Sequence, residues 1–154
     1  MKEVKVRSLK LSDLEPATNY LAKSINSTST YKHLTLKPKK IARLLSDILF
    51  DDSKCGYVAL KDGKIIGMVG GYLSTMWFSD TLVLNDFGIF VDEKYRNTGV
   101  SYKLLYEFFN FGKESKANEI HFSVTAEPKY FSQLYNAFTK KFEFELMGIV
   151  LRRK

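Results

Sequence analysis

An arginine, a glycine and a serine at fixed spacing follow an apolar run in the middle of the chain. The run ends at Val91, and after a polar turn six residues open a segment of helical apolar spacing: Arg96, Asn97, Thr98, Gly99, Val100 and Ser101. The first N–H groups of a helix have no partner within the helix and carry partial positive charge. A glycine there lets an anion approach the backbone, so the pattern could bind a phosphate, although a structural turn can have the same sequence.

The whole stretch over residues 88–105 resembles the acetyl-CoA-binding motif of the GNAT N-acetyltransferase superfamily. That motif is a strand ending in Val, four loop residues, Arg/Gln-x-x-Gly-x-Gly/Ala, and then Leu-Leu on the helix. The residues that match it are Val91, Arg96, Gly99, Leu104 and Leu105. Ser101 occupies the last small position, where the family has Gly or Ala. The order of the predicted helices and strands also fits, so the resemblance covers nearly the whole chain.

The resemblance implies that acetyl-CoA is the co-substrate and that its acetyl group passes directly to an amine. The backbone around Ile89, Phe90 and Val91 would pair with the pantetheine arm and polarise the thioester carbonyl. The amides over residues 96–101 would hold the pyrophosphate. The reaction requires neither a covalent enzyme intermediate nor a metal. We also expect no metal site from the residues themselves, because two histidines cannot make one without carboxylate or cysteine partners placed around them.

A base is needed to take a proton from the attacking amine. Many family members carry a Glu six residues before the strand-final Val, and this chain has Asn85 there, which cannot act as a base. Asp86 is adjacent but would face the other side of a regular strand. A bulge could turn Asp86 inward, so Asp86 is one candidate base. A base that acts through water, or an amine that is already neutral, are the alternatives.

An acid for the leaving thiolate has a candidate in Tyr135. The family often has Leu-Tyr-x-x-x-Gly-Phe on its last helix, and this chain has Leu134-Tyr135 but no Gly-Phe after it. Phe138 could occupy the tyrosine position instead, and Tyr135 could be an ordinary member of the apolar stripe of its helix. The family also has an Asn after the preceding strand, where this chain has Glu127-Pro128.

Three functions are consistent with these residues. The first is an acyl-CoA-dependent N-acetyltransferase acting on an amine of a small molecule or protein. The second is a catalytically degenerate GNAT-like domain that binds CoA or a protein, which the missing Glu, Gly-Phe and Asn favour. A basic nucleic-acid-binding domain rests only on the net charge of +7, and no base-contacting motif is present, so nucleic acid is not expected as a partner.

The apolar periodicity predicts an α/β (α+β) fold with a mixed, mostly antiparallel sheet flanked by helices. A parallel strand–helix–strand crossover is expected at the cofactor site. The predicted strands cover residues 4–7, 56–61, 65–73, 81–91, 119–125 and 144–152. The predicted helices cover residues 13–25 and 99–113, and two more begin at Pro38 and Pro128. The aromatic cluster Met76-Trp77-Phe78 is interpreted as a cover for the core, with a pocket wall as the alternative.

Length and composition are those of one globular domain over residues 1–154, with 45% hydrophobic and 27% charged residues. The single cysteine, Cys55, cannot form an internal disulfide, which favours a reducing compartment. The N-terminus lacks the apolar core of a signal peptide, and no apolar run is long enough to span a bilayer. We therefore expect a cytoplasmic protein without a membrane partner. An exposed edge strand could support a homodimer.

Overall fold

The structure, a computed structural model, describes residues 3–125 and 128–153, apart from the side chains of residues 128 and 129. Five strands are present among them: β1 (Lys5–Ser8), β2 (Lys54–Lys61), β3 (Lys64–Thr75), β4 (Leu82–Val91) and β5 (Glu119–His121). The helices are α1 (Leu14–Ser27), α2 (Pro38–Phe50), α3 (Val100–Glu114) and α4 (Pro128–Lys141). Short 3₁₀ turns precede α1 and follow β4. These elements appear in the predicted order, up to the end of α4.

The strands form one mixed sheet in the order β1-β2-β3-β4-β5. The first four strands pair antiparallel, and β4 pairs with β5 in parallel through the α3 crossover. Asp62 and Gly63 make the turn between β2 and β3, both with positive φ, as the Asp-Gly signal predicts. The predicted fold class, a mostly antiparallel sheet with one parallel crossover, is confirmed.

Helices cover both faces of the sheet, and each face has its own hydrophobic cluster. One cluster joins Val100, Leu104 and Phe108 of α3 to buried residues of the strands, including Leu84. The other lies beneath α1 and α2 and contains Ala17, Leu45, Val58 and Met68. This layering follows from side chains alternating between the two faces along each strand. It places α3 on one side of β4 and the pair α1–α2 on the other.

The predicted strand over residues 144–152 is wrong, since the structure has no strand there. The Phe144 N–H donates to the Phe138 carbonyl at 3.1 Å, and the Phe144 ring packs on Phe109 and Phe138. These contacts fix the direction in which the chain leaves α4. The following residues meet no strand edge, and an apolar sequence alone cannot satisfy backbone N–H and C=O groups. Five apolar side chains therefore stay 59–97% exposed: Leu146, Met147, Ile149, Val150 and Leu151.

Two smaller expectations also differ from the structure. Strand β5 ends at His121 rather than at Thr125, because the Ser123 N–H donates to the Asp86 side chain instead of continuing the ladder. Trp77 and Phe78 do not cover the core; they are 94% and 67% exposed and pack edge to face on each other. Their loop contains Ser79 and Thr81, whose hydroxyl groups are hydrogen-bonded to each other at 2.7 Å.

None of the helices in the described ranges combines the length and the low polarity that a bilayer crossing needs.

Candidate active site

Strands β4 and β5 are paired only along the first half of β4. They pair only at Val83–Glu119, Leu84–Ile120 and Asn85–His121, whereas β4 continues to Val91. Beyond Asn85, the β5-facing edge of β4 therefore has no strand beside it within the described residues. Backbone groups on such an edge can pair with an extended ligand, as an added strand would. Ile89, Phe90 and Val91 lie in this unpaired part of β4.

Asp86 lies where the two strands separate, and its carboxyl spans the gap. Its Oδ1 accepts the backbone N–H of Ser123 at 2.7 Å, which ties β4 to the segment after β5. Burial is the largest influence on this carboxyl and raises its pKa above the ordinary aspartate value, although the Ser123 N–H opposes the shift. A carboxylate that is partly desolvated and next to an open strand edge has the properties of a general base.

A bulge in β4 sets the position of Asp86. Gly70 pairs with Gly88 and Gly71 pairs with Asp86, so Phe87 is an extra residue on β4. The bulge reverses the alternation of faces, and Ile89 and Val91 consequently pack against the α3 cluster on the same face as Leu84. Gly88 has φ +121, a value that residues with side chains rarely adopt. The bulge that the sequence left open as one alternative is therefore present.

Gly71 makes the close approach between β3 and β4 feasible at the bulge. A Cβ built on Gly71 would lie 2.3 Å from the Asn85 carbonyl oxygen and 2.5 Å from the Phe108 ring. Neither neighbour can move freely, since one is backbone and the other belongs to the core. Only glycine fits this position. The sequence signal was the run of glycines in β3, which predicted a close backbone approach but not its partner.

The loop between β4 and α3 is held by its own polar groups. The Arg96 Nε donates to the Val91 carbonyl at 3.2 Å, and the Thr98 hydroxyl donates to the Tyr95 carbonyl at 2.6 Å. The backbone N–H of Arg96 donates to the Glu93 carbonyl at 3.1 Å, so that amide is used within the turn. Arg96 thus braces the start of the loop, and the residues from Asn97 to Gly99 lead into α3.

Two left-handed residues shape the start of α3. Asn97 has φ +64 and Gly99 has φ +85, and Gly99 directly precedes the first helical residue, Val100. Consecutive amides around left-handed residues converge into an anion-binding concavity, which the positive end of a helix strengthens. No atom lies within 4 Å of a Cβ built on Gly99, so the space over this residue is open. Val100 is buried against the sheet and anchors the helix start.

Cationic side chains surround this loop. The Arg96 guanidinium lies 5.8 Å from the centre of the Tyr130 ring on α4. The Lys61 and Lys94 ammonium groups lie 5.1 and 5.0 Å from the centre of the Tyr95 ring. The positive charge complements a polyphosphate without depending on one ion pair. Together, the left-handed residues with open space at the start of the crossover helix and the open edge on β4 have a geometry that is compatible with an extended, anionic ligand.

Tyr135 and Phe138 differ clearly in their surroundings. The Phe138 side chain is buried and packs on Phe122 at 4.9 Å and on Phe144 at 5.3 Å, so it is a core residue. Tyr135 lies about one turn earlier on α4, 36% exposed, with its ring stacked on that of Phe131. Glu127, expected in place of the family's Asn, lies outside the described residues. Ser123 was missed by sequence reasoning, because its contribution is a backbone N–H that any residue could supply.

Comparison with known proteins identifies the family. The model of the acetyltransferase (GNAT) family matches residues 20–137, and the chain therefore belongs to that family. Among curated proteins, none matches the sequence. No three His, Cys, Asp or Glu side chains gather into a metal site in the part of the chain that the structure describes.

Solved structures of low sequence identity share the fold. The aminoglycoside N-acetyltransferase AAC(6')-Iy, bound to a bisubstrate analogue containing CoA, has TM-score 0.75 at 19% identity, over 99% of this chain and 97% of that chain. The Arabidopsis thaliana glucosamine-6-phosphate N-acetyltransferase has TM-score 0.73 at 14% identity, over 99% of each chain. A transcriptional regulator from Bacillus halodurans C-125 has TM-score 0.77 at 16% identity, also over 99% of each chain. Family membership supports acetyltransferase activity in general.

Proposed function

We propose that this protein is an N-acetyltransferase that moves the acetyl group of acetyl-CoA directly to an amine. The observation that carries the proposal is the position of Asp86, whose carboxyl spans the gap between β4 and β5 beside the open edge of β4. The amine nitrogen attacks the thioester carbonyl carbon, and Asp86 takes a proton from that nitrogen. The C–S bond then breaks, and the thiolate takes a proton from the Tyr135 hydroxyl. The products are the N-acetylated amine and CoA.

The co-substrate would bind mainly through the backbone. The pantetheine arm would pair with Ile89, Phe90 and Val91, and an N–H of this edge would donate to the oxyanion that forms during attack. The amides over residues 97–101 would hold the pyrophosphate, since the amide of Arg96 is already bonded to Glu93. After the transfer, Asp86 releases its proton to water and the Tyr135 phenolate takes one from water, so that both side chains return to their starting protonation states.

Calorimetry with Gly99→Glu tests the cofactor site. Acetyl-CoA is expected to bind the wild type in the micromolar range and to show no measurable binding to the variant, because the new side chain fills the open space over the helix start with negative charge. Gly63→Glu is the matched control, since Gly63 also has a positive φ (+75) and no atom within 4 Å of a built Cβ. Equal backbone strain at a remote hairpin should leave binding unchanged. Absence of binding to the wild type would remove the proposal.

Turnover distinguishes the enzyme from a degenerate CoA-binding domain. Release of the CoA thiol in the presence of an amine can be followed with a thiol reagent. The protein's own thiol does not interfere, because Cys55 is buried and burial raises its pKa to about 12. Binding of acetyl-CoA without thiol release across a broad panel of amines would favour the degenerate domain. The sequence feature in favour of that domain is Asn85, which replaces the Glu of many family members.

The pH profile tests Asp86 as the base. The base must be ionised, and burial disfavours the ionised carboxylate, so kcat/KM should fall as the pH drops through the raised pKa of Asp86. The midpoint of this acid limb is expected above about 4, the ordinary aspartate value. Initial rates from pH 4 to 9 at fixed ionic strength would measure it. A profile that stays flat down to the ordinary aspartate value would contradict the assignment.

The exposed C-terminal apolar run supports a homodimer as part of the proposal. Residues 146–151 belong to no helix or strand and are largely exposed, and the outer edge of β5 pairs with no described strand. The same chain thus carries a strand-forming segment and an open edge, which two copies could satisfy reciprocally. Sedimentation equilibrium is expected to give twice the monomer mass, and Val150→Asp to shift it to the monomer. A monomeric wild type at micromolar concentration would exclude the dimer.

A cytoplasmic location completes the proposal. The single buried Cys55 is compatible with a reducing compartment. The proposed co-substrate, acetyl-CoA, would have to be present in the same compartment.

A further inference from the structure

An apolar cavity lies directly behind the strand that would hold the thioester. It has a volume of about 120 Å³ and lies between helices α1 and α2 and the sheet. Leu21 and Ile25 of α1 and Ile41 and Leu44 of α2 form its outer wall. Phe87, Gly88 and Phe90 of β4 form its inner wall, next to Asp86 in the chain.

Gly88 lies both in the unpaired part of β4 and in the wall of this cavity. Ile89 and Val91 point to the α3 face, whereas Gly88 and Phe90 line the cavity on the opposite face. A Cβ on Gly88 would lie 3.2 Å from the Phe90 ring and would narrow the space between them. The bulge therefore has a second consequence: it places a residue without a side chain where the reacting carbonyl would lie.

The lining of the cavity selects for apolar groups. Among the described residues, every side chain that lines it is aliphatic, aromatic or the thioether of Met68, and the remaining positions are glycines. A charged or hydrogen-bonding group would lose its hydration here without gaining a partner. A methylene would instead leave water for a surface of matching polarity. A volume of about 120 Å³ holds about four groups of the size of a water molecule.

We propose that this cavity binds a short apolar group, of about four carbons, that one of the two substrates carries beside the transferred carbonyl. The group is an acyl chain longer than acetyl on the CoA donor, or an aliphatic substituent close to the nitrogen of the amine. The proposal rests on the proposed function, because it places the reacting carbonyl at the edge of β4. The proposal also predicts a different acceptor from that of the aminoglycoside acetyltransferases, because the several ammonium groups of an aminoglycoside could not enter the cavity.

The charge around the cavity agrees with this selection. Lys37, Lys39 and Lys40 lie at the start of α2, just before Ile41, and all three are exposed. The positive potential of this end of the helix disfavours a polycationic amine as it approaches.

Two series of ligands distinguish whether the CoA donor or the amine carries the apolar group. Calorimetry with acetyl-, propionyl-, butyryl- and hexanoyl-CoA measures the donor, and thiol release with methylamine, propylamine and pentylamine measures the amine. Affinity or kcat/KM in one series is expected to rise by about fourfold for each methylene until the cavity is full. Kanamycin, an aminoglycoside, is expected to be a poorer acceptor than propylamine.

Leu44→Trp and Leu44→Ala test the cavity itself. The tryptophan fills it and should abolish the dependence on chain length, while the alanine enlarges it and should move the optimum to longer chains. Leu34→Trp introduces the same bulk at a half-exposed position of the α1–α2 loop and should leave the dependence unchanged. Binding of unacylated CoA shows that each variant is folded, and Leu44→Ala keeps the test decisive if Leu44→Trp does not fold.

The outcomes are distinct from those that test the proposed function. If no acyl-CoA binds the wild type, the proposed function fails. If acetyl-CoA binds but neither series depends on chain length, or if kanamycin is preferred to the alkylamines, the cavity proposal is overturned while the transferase remains. If chain length matters equally in the wild type and in both Leu44 variants, the apolar group binds elsewhere and the proposal also falls.

Discussion

Replacement of Asp86 by Asn is expected to lower kcat by about 10²- to 10⁴-fold, the contribution that a positioned base makes to proton transfer. Asn keeps the oxygen that accepts the Ser123 N–H, so the link between β4 and the segment after β5 should survive. Acetyl-CoA affinity should not change, because the proposed cofactor contacts are with the backbone beyond Asp86. Steady-state kinetics of thiol release, combined with calorimetry, measure both quantities.

The stability of this variant has a defined sign. Burial raises the pKa of Asp86 in the folded protein, so the protonated, neutral carboxyl group favours folding at low pH, and this contribution is lost as the pH rises through the raised pKa. At pH 7, a neutral Asn removes the cost of a partly buried charge. The melting temperature of Asp86→Asn should therefore equal or exceed that of the wild type, which separates lost chemistry from lost folding.

Asp80→Asn is the matched control for the base. Asp80 lies in the exposed loop before β4, and the same substitution there removes a charge of the same sign. Its kcat should stay at the wild-type value. If Asp86→Asn also retains full kcat, Asp86 is not the base. The mechanism then uses one of the two alternatives to Asp86, a base that acts through water or an amine that is already neutral.

Replacement of Gly71 by Ala is expected to destabilise the protein by about 1–3 kcal/mol or more, because the new methyl group overpacks the bulge. The Cβ would lie 2.3 Å from the Asn85 carbonyl oxygen, and relief requires β3 and β4 to separate at the pair that holds Asp86. We therefore expect kcat to fall together with stability. Urea unfolding measures the first effect, and thiol release at a temperature where the variant is folded measures the second.

Gly148→Ala provides the comparison for this prediction. No atom lies within 4 Å of a Cβ built on Gly148, so its replacement should leave the urea midpoint nearly unchanged. Ala is otherwise the better residue in a strand, by roughly 0.5–1 kcal/mol relative to Gly, so a loss at Gly71 cannot come from intrinsic propensity. An unchanged midpoint for Gly71→Ala would show that the bulge adapts, and that its geometry does not hold Asp86.

Local sequence patterns predicted the parts of the site that depend on neighbouring residues. A strand that ends at Val91, a polar turn, and Gly99 before a helix are short-range features, and the structure has all of them. Gly99 is left-handed because the chain must turn sharply into α3, a requirement that is visible as a glycine in the sequence. The antiparallel hairpin at Asp62-Gly63 and the parallel crossover follow from equally local signals.

Long-range pairing decided the features on which the chemistry depends. In a regular β4, Asp86 and Ile89 would face opposite sides of the sheet, because side chains alternate along a strand. Only the pairing with Gly70 and Gly71 makes Phe87 the extra residue and changes this alternation. The sequence allowed a bulge but could not locate it, since a bulge is a property of two strands. The core position of Phe138 likewise results from contact with Phe122, which lies outside its own helix.

The sequence by itself determined the fold class, the order of the elements up to α4 and the left-handed glycine before α3, because each rests on periodicity, turn chemistry or a residue with special φ. The tertiary structure alone decided that residues 144–152 form no strand, since β-structure needs a neighbouring edge and Phe144 directs the chain elsewhere. It also produced the cavity behind Gly88, because its walls come from α1, α2 and three strands, β2, β3 and β4. Packing between distant segments has no local signature in the sequence. The cavity that would determine substrate specificity is formed by such packing.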